Sequence, residues 1–79
     1  MSKADKLLDR AINNPQGLSF SELETLVKNH GFQFDRQNGS HRIYVNKALN
    51  VTLNLQPDKN GKAKFYQVKE FLQAIGKWC

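Results

Sequence analysis

The segment Gly39–Tyr44, with the sequence GSHRIY, places an imidazole directly after a predicted tight turn and at the start of an apolar strand. Histidine is the side chain whose ordinary pKa best suits proton transfer near neutral pH. A proton carrier beside guanidinium and ammonium groups can cleave a phosphodiester without a metal ion, because the cations stabilise the charge that develops. His41 is therefore the candidate catalytic residue. On residue pattern alone, the alternative is a strand-edge histidine that satisfies a local hydrogen bond.

The charge of the chain favours polyanionic partners. The 79 residues carry a formal net charge of +5. Between residues 59 and 77, Glu70 is the only acidic residue among five lysines, which are Lys59, Lys62, Lys64, Lys69 and Lys77. Small basic domains bind nucleic acid through phosphate contacts. We therefore predict a nucleic-acid-binding surface, and the alternative is a solvated basic face that has no partner.

The residue types argue against several kinds of site. Cys79 is the single cysteine, so no internal disulfide can form, and no Cys/His cluster has the spacing of a zinc site. Acidic residues form no cluster suited to a cation, so we predict neither a metal nor another cofactor. The first residues lead into an amphipathic stretch rather than a signal peptide, and no segment has transmembrane length. We expect a cytoplasmic protein that does not associate with membranes.

Hydrophobic periodicity predicts one α+β domain with the element order α-α-β-β-β-α. The predicted helices cover Lys3–Asn13, a stretch from a Ser19/Glu22 capping box to Gly31, and a stretch starting near Phe65 or Tyr66. Ser21 and Glu24 form the same box shifted by two residues, which is the alternative start of the second helix. The predicted strands lie near Phe32–Asp35, Ser40–Val45 and Leu49–Leu55, with a hairpin turn at Asn38-Gly39. We treat residues 1–79 as a single domain, in which 3–13 is an additional helix and 19–77 form the core.

Alternation along the second strand predicts how the candidate site is arranged. His41 shares one face of this strand with Ile43 and Val45. If this row faces the core, His41 stands at its edge, where it is partly desolvated and still reachable. The opposite row then holds Ser40, Arg42 and Tyr44.

Three ordered motifs resemble the HicA-type toxins, small bacterial endoribonucleases that a partner antitoxin holds inactive. The GSHRIY segment is similar to the family signature Gly-Ser-His-(His)-x-aromatic. Leu23–Phe32 is similar to the family helix Leu-x-x-Leu-Val/Leu-x-x-x-Gly-Phe. Asn54–Asp58 and Lys62–Lys69 resemble a strand-to-helix segment of one subgroup, Leu-Gln-Pro-Asp followed by Lys-Ala-Lys-Pro-Tyr-Gln-Val. Together the resemblance covers about Phe20 to Ile75.

The resemblance implies a fold like the double-stranded-RNA-binding domain and metal-independent cleavage of mRNA, with His41 as general acid or base. It also implies a HicB-like antitoxin as partner, the chain being a monomer when free and part of a hetero-oligomer when bound. The residues predicted to contact RNA are Ser40, Arg42, Lys62, Lys64 and Tyr66. Lys62 and Lys64 could equally keep a loop soluble, and Tyr66 could instead cover the core.

Two positions depart from the family pattern. Arg42 stands where many members carry a second histidine, and Phe65 stands where they carry a proline. Because arginine does not exchange protons near neutral pH, this chain cannot use an acid–base mechanism that needs histidines at both positions. Arg42 can still bind a phosphate. A non-catalytic RNA-binding module of the same fold is therefore the main alternative. A domain that mainly occupies a protein partner is a third hypothesis.

Overall fold

Three α-helices and a three-stranded antiparallel sheet share one hydrophobic core in the computed structural model, which describes residues 3–78 and the side chains of residues 5–78. The helices are α1 (Lys3–Asn13), α2 (Phe20–Asn29) and α3 (Phe65–Ala74), and a short 3-10 turn covers Pro15–Gly17. The strands are β1 (Gln33–Asn38), β2 (His41–Asn46) and β3 (Val51–Leu55), adjacent in that order. The predicted α+β class and element order are confirmed. Cys79 lies outside the described residues.

The predicted capping box sets the start of α2. The Ser19 hydroxyl oxygen accepts the N–H of Glu22 at 3.1 Å, and the Glu22 carboxylate accepts the N–H of Ser19 at 2.9 Å. These bonds satisfy donors that a helix N-terminus otherwise leaves unpaired. At the other end, Gly31 adopts a φ of 89°, a left-handed conformation that glycine adopts without the strain that a side chain brings. The chain therefore turns directly from α2 through the buried Phe32 into β1.

Helix α1 belongs to the same hydrophobic core as the rest of the domain. Ala11 is fully buried, and Leu7 and Leu8 pack against the core from its edge. Arg10 forms an ion pair with Glu22 of the capping box. The Ser19 N–H and then this guanidinium hold the pKa of Glu22 below its ordinary value. Within residues 3–78, no helix combines the length and apolar character that crossing a bilayer requires.

The core lies between the helices and one row of sheet residues. Tyr44 pairs with Leu53, and Arg42 pairs with Leu55, so these four side chains share the face toward the helices. The other face carries no helix in the described part of the chain. We call it the open face, and its residues are Gln33, Arg36, His41, Ile43, Val45, Thr52 and Asn54.

In strand β2, the row that contains Arg42 and Tyr44 faces the helices. The arrangement in which His41, Ile43 and Val45 face the core is not the one adopted, because Tyr44 is only 1% exposed and belongs to the core cluster, whereas Ile43, although 9% exposed, lies outside that cluster. The buried Glu24 of α2 accepts a hydrogen bond from the Tyr44 hydroxyl at 2.6 Å. With its polar atom paired, the large tyrosine ring can be buried at little cost. His41 consequently lies on the open face and is exposed.

The β1–β2 hairpin differs from prediction in its turn and in its register. Asn38 pairs with His41, so the two loop residues are Gly39 and Ser40 rather than Asn38 and Gly39. Gly39 has a φ of 63° at the first loop position, which suits a turn whose twist matches the strands. The register shifts between Phe34 and Arg36, which leaves Asp35 as the extra residue of a β-bulge.

The β2–β3 turn is longer than predicted. Strand β3 begins at Val51, not at Leu49, and Asn50 before it has a φ of 56°. The buried Asn46 organises this turn: its amide oxygen accepts the N–H of Leu49 at 3.0 Å, and its amide nitrogen donates to the carbonyl of His30 at 3.0 Å. These bonds satisfy a polar side chain at the far end of β2 from His41.

Candidate active site

His41 is the first residue of β2 and is exposed on the open face. Its Nδ1 donates to the side-chain oxygen Oδ1 of Asn54 at 2.9 Å. Asn54 pairs with Ile43, two residues beyond His41 on the same face, so the two side chains meet diagonally across β2 and β3. Within residues 3–78, Nε2 of His41 has no hydrogen-bond partner. One ring nitrogen is therefore held, and the other is free for proton transfer.

Gln56 connects the turn before His41 to the start of α3. Its Nε2 donates to Oγ of Ser40 at 2.9 Å, and its Oε1 accepts from Nζ of Lys64 at 3.3 Å. Lys64 is the residue directly before α3. Two of the predicted RNA-contacting residues, Ser40 and Lys64, are thus bridged by one side chain beside His41.

The side chain of Gln67 in α3 is hydrogen-bonded to the backbone at the end of β3. This side chain is 4% exposed; its Nε2 donates to the carbonyl of Asn54 at 3.2 Å, and its Oε1 accepts the N–H of Gln56 at 3.1 Å. The two bonds satisfy backbone groups and both ends of a buried amide. They also fix the backbone of the two residues whose side chains hold His41, Ser40 and Lys64.

Sequence reasoning missed Asn54, Gln56 and Gln67. Two signals could have found them. Asn54 and Gln56 alternate with the apolar Leu53 and Leu55, which places polar groups opposite the histidine strand. Gln67 precedes Val68 and lies four residues before Phe71, so it falls within the buried stripe of α3, where an amide needs partners.

Lys62 and Lys64 flank the buried Ala63 in the segment that leads into α3. Because neighbours alternate in an extended chain, the two lysines point outward. The Asp58 carboxylate accepts the N–H groups of Lys62 and Asn60 at 2.9 and 2.8 Å, and these bonds lower the pKa of Asp58. The Lys62 backbone is thereby fixed, while no contact in the described part of the chain joins its side chain to His41.

Tyr66 lies on the first turn of α3 with 52% of its surface exposed, so it does not cover the core. The neighbouring Phe65, which replaces the family proline, is 40% exposed and contacts Trp78 edge-on at a centroid distance of 6.0 Å. The Tyr66 ring is therefore available to a ligand.

Arg42 points toward the helices and away from His41. Its Nη1 donates to both carboxylate oxygens of Glu24, at 2.8 and 3.0 Å, and its guanidinium lies 5.8 Å from the Phe20 ring centroid. The Glu24 carboxylate raises the pKa of Arg42 further above its ordinary value. Glu24 also accepts from Tyr44, so this cluster joins the start of β2 to α2. The geometry gives Arg42 a structural role in holding the strand that carries His41.

Because of the cluster of Glu24, Arg42 and Tyr44, we expect the protein to lose stability at high pH. Burial and the Glu24 carboxylate raise the pKa of Tyr44 from 10.0 to about 12. The stability that this shift represents, up to about 2.7 kcal/mol, is complete below pH 10 and is lost as the pH rises from 10 to 12. In urea titrations followed by Trp78 fluorescence, Tyr44→Phe should remove this part of the decline, whereas Tyr66→Phe should retain it. Equal declines in the wild type and Tyr44→Phe would contradict this assignment.

Arg36 is the arginine on the open face. Because of the Asp35 bulge, it pairs with Ile43 and shares a face with His41; strict alternation would have placed it with Phe34. Its side chain is 67% exposed and forms an ion pair with Asp35. A bulge of one residue leaves no clear mark in the sequence, which is why Arg36 was not among the predicted site residues.

The second histidine, His30, lies apart from His41. It follows α2 beside Asn46 at the other end of β2, where its Nδ1 donates to the carbonyl of Leu26 at 2.9 Å. Its ring meets Phe71 edge-on at 5.4 Å. Across residues 3–78, no three His, Cys, Asp or Glu side chains are grouped so that they could hold a metal ion.

Comparison with known proteins supplies the family. Comparisons with curated proteins and with solved structures find no match to this chain. A family model described as the HicA toxin of bacterial toxin–antitoxin systems matches residues 20–77. The matched region runs from the start of α2 to beyond the end of α3 and includes His41, Asn54 and Lys64. The chain therefore belongs to the HicA toxin family, and it is a toxin of a toxin–antitoxin system.

Proposed function

We propose that the toxin is an endoribonuclease that cleaves mRNA without a metal ion and that a HicB-like antitoxin neutralises it. The observation that carries the proposal is the His41 imidazole, exposed at the start of β2 with Nδ1 bonded to Asn54 and Nε2 free. Membership of the HicA family supports a toxic activity. An oriented imidazole on a basic surface supports phosphodiester cleavage as that activity.

The reaction uses His41 as a general base. Its Nε2 takes the proton of a ribose 2′-hydroxyl, and the 2′-oxygen attacks the adjacent phosphorus. A bond forms between the 2′-oxygen and phosphorus, the bond to the 5′-oxygen breaks, and the departing 5′-oxygen receives a proton from water or from the imidazolium. The products are a 2′,3′-cyclic phosphate and a 5′-hydroxyl. Cationic side chains stabilise the pentacoordinate phosphorane, because its extra negative charge develops only in the transition state.

The RNA backbone passes over the His41 end of the open face and over the start of α3, and it leaves uncovered the far end of that face, where Thr52 pairs with Val45. Arg36 and Lys64 supply positive charge on two sides of His41, from β1 and from the segment before α3. Ser40 contributes a hydroxyl beside Lys64, and Lys62 extends the basic surface. Tyr66 stacks on a base, as exposed aromatic rings do in proteins that bind single-stranded RNA. Arg42, already paired with Glu24, acts mainly by holding β2 in place.

Salt dependence of RNA binding tests this surface. In a His41→Ala background that leaves RNA uncut, Arg36→Gln, Lys62→Gln and Lys64→Gln should each weaken binding of a fluorescent single-stranded RNA. Each should also flatten the plot of log affinity against log salt by about 0.7, one phosphate's share for a single strand. Lys47→Gln is the matched control, because Lys47 lies in the turn after β2, away from His41. Unchanged slopes in all three variants would place the RNA path elsewhere.

The alternative function is a non-catalytic RNA-binding module. The observation that favours it is Arg42, which stands in place of the family's frequent second histidine and is committed to Glu24. One incubation separates the two functions. An RNA that is bound with the predicted salt dependence, and that stays intact with micromolar protein over hours, would support the binding module and contradict the nuclease.

A further inference from the structure

The side chain of Asn54 has one evident partner on the open face, and that partner is the proposed catalytic base. Asn54 is exposed, so its amide is not needed to satisfy a buried group. Its Oδ1 lies 2.9 Å from Nδ1 of His41. An amide oxygen only accepts hydrogen bonds, so the proton of a neutral His41 must be on Nδ1. The lone pair is then on Nε2, the nitrogen that a general base needs.

The position of Asn54 is itself determined by α3. The buried Gln67 accepts the N–H of Gln56 and donates to the carbonyl of Asn54. The backbone carbonyl of Asn54 is thus bonded to Gln67 of α3, while its side chain lies on the open face. This arrangement gives the His41 ring a fixed acceptor on a rigid strand, although His41 itself follows a two-residue turn.

We infer that Asn54 is the positioning residue of the site: its Oδ1 selects the tautomer of His41 and orients the ring so that Nε2 faces the RNA. The inference rests on the proposed nuclease function and adds to it the group that prepares the base. A histidine without such a partner distributes its proton between both nitrogens and rotates about χ1 and χ2. In that state only part of the population can accept the 2′-hydroxyl proton.

Other charged groups near the ring come from two elements. Arg36 of β1 lies on the same face and forms an exposed ion pair with Asp35. Lys64 is hydrogen-bonded to Gln56, which is in turn bonded to Ser40 beside His41. Neither is bonded to a nitrogen of His41. Asn54 is therefore the group whose replacement acts directly on the imidazole.

Three variants test the inference in the full-length protein. Long-range ¹H–¹⁵N spectra at pH 8 should place the His41 proton on Nδ1 in the wild type. Asn54→Ala should spread it over both nitrogens and lower kcat for RNA cleavage about 10- to 100-fold with little change in KM.

Asn54→Asp should keep the proton on Nδ1. Because its carboxylate stabilises the imidazolium, it should also move the rise of kcat/KM with pH to higher pH. Thr52→Ala, on the same face of β3, should leave both spectra and kinetics unchanged.

The spectra contain their own reference. His30 donates through Nδ1 to a backbone carbonyl that no Asn54 variant alters, so its signals should stay constant in every protein. An Nδ1 proton on His41 that persists in Asn54→Ala, or a kcat no lower than that of Thr52→Ala, would overturn the inference. The spectra need no RNA. A wild-type protein that cuts no RNA would therefore overturn the proposed nuclease function. The ¹H–¹⁵N spectra would still show whether Asn54 selects the tautomer of His41.

Discussion

Replacing His41 with alanine is expected to lower the rate of RNA cleavage about 10²–10⁴-fold, the usual loss when a general acid or base is removed. His41 is the only histidine on the open face, and within residues 3–78 no second proton carrier is bonded to it that could replace it. Single-turnover cleavage of a labelled RNA measures this change directly. In cells, the same substitution should abolish growth arrest when the toxin is induced without an antitoxin.

The structure offers a control that separates chemistry from folding. His41 is exposed and makes one side-chain bond, so its truncation should leave the far-UV circular dichroism and the urea midpoint unchanged. Thr52→Ala shortens a side chain at the far end of the same face, where Thr52 pairs with Val45, and should retain full cleavage. A folded His41→Ala protein that cuts RNA at the wild-type rate would rule out the catalytic assignment.

Binding of the antitoxin should reduce cleavage to the level of the His41→Ala variant. We expect the proposed HicB-like partner to cover the open face and to present carboxylates to Arg36 and Lys64. Opposite charges speed the encounter of two proteins and fix their orientation. A stable interface of this kind buries at least about 1,000 Å². Coexpression should rescue growth and yield a complex that does not digest RNA.

Charge reversal locates this interface. Arg36→Glu places a negative charge on the open face and should slow association with the antitoxin at low salt. Lys47→Glu, at the other end of β2, carries the same change in charge and should leave association unaffected. A purified complex that digests RNA as fast as the free toxin would show that the partner leaves His41 uncovered.

Local signals in the sequence were sufficient to predict the helices of this fold. Helix α1 covers Lys3–Asn13 as its apolar stripe predicts, and α2 starts at the Ser19/Glu22 capping box. Gly31 ends that helix in the left-handed conformation, and α3 begins at Phe65. Each of these features depends on residues within one or two turns of each other, and such interactions are encoded in short stretches of sequence.

The facing of the strands could not be predicted in the same way, because it depends on distant partners. Tyr44 and Arg42 turn to the helices since Glu24, about twenty residues earlier, accepts hydrogen bonds from both. Both rows of side chains in β2 contain apolar residues, so the alternation of polar and apolar residues does not show which row faces the core. The bulge at Asp35 then reverses the phase of β1 and brings Arg36 beside His41. The sequence was enough to propose His41 as the catalytic residue, whereas the groups that surround it could be found only from the sheet register.

The proposed role of His41 is tested most directly by the identity of the RNA ends after cleavage in excess EDTA. A short RNA is incubated with purified wild-type toxin and, in parallel, with the His41→Ala variant, and the fragments are weighed by mass spectrometry. Attack by a 2′-oxygen that His41 deprotonates predicts 2′,3′-cyclic phosphate or 3′-phosphate ends with 5′-hydroxyl partners, and no such fragments from the variant. Fragments with 3′-hydroxyl ends, or cleavage that returns only after magnesium is added, would contradict it.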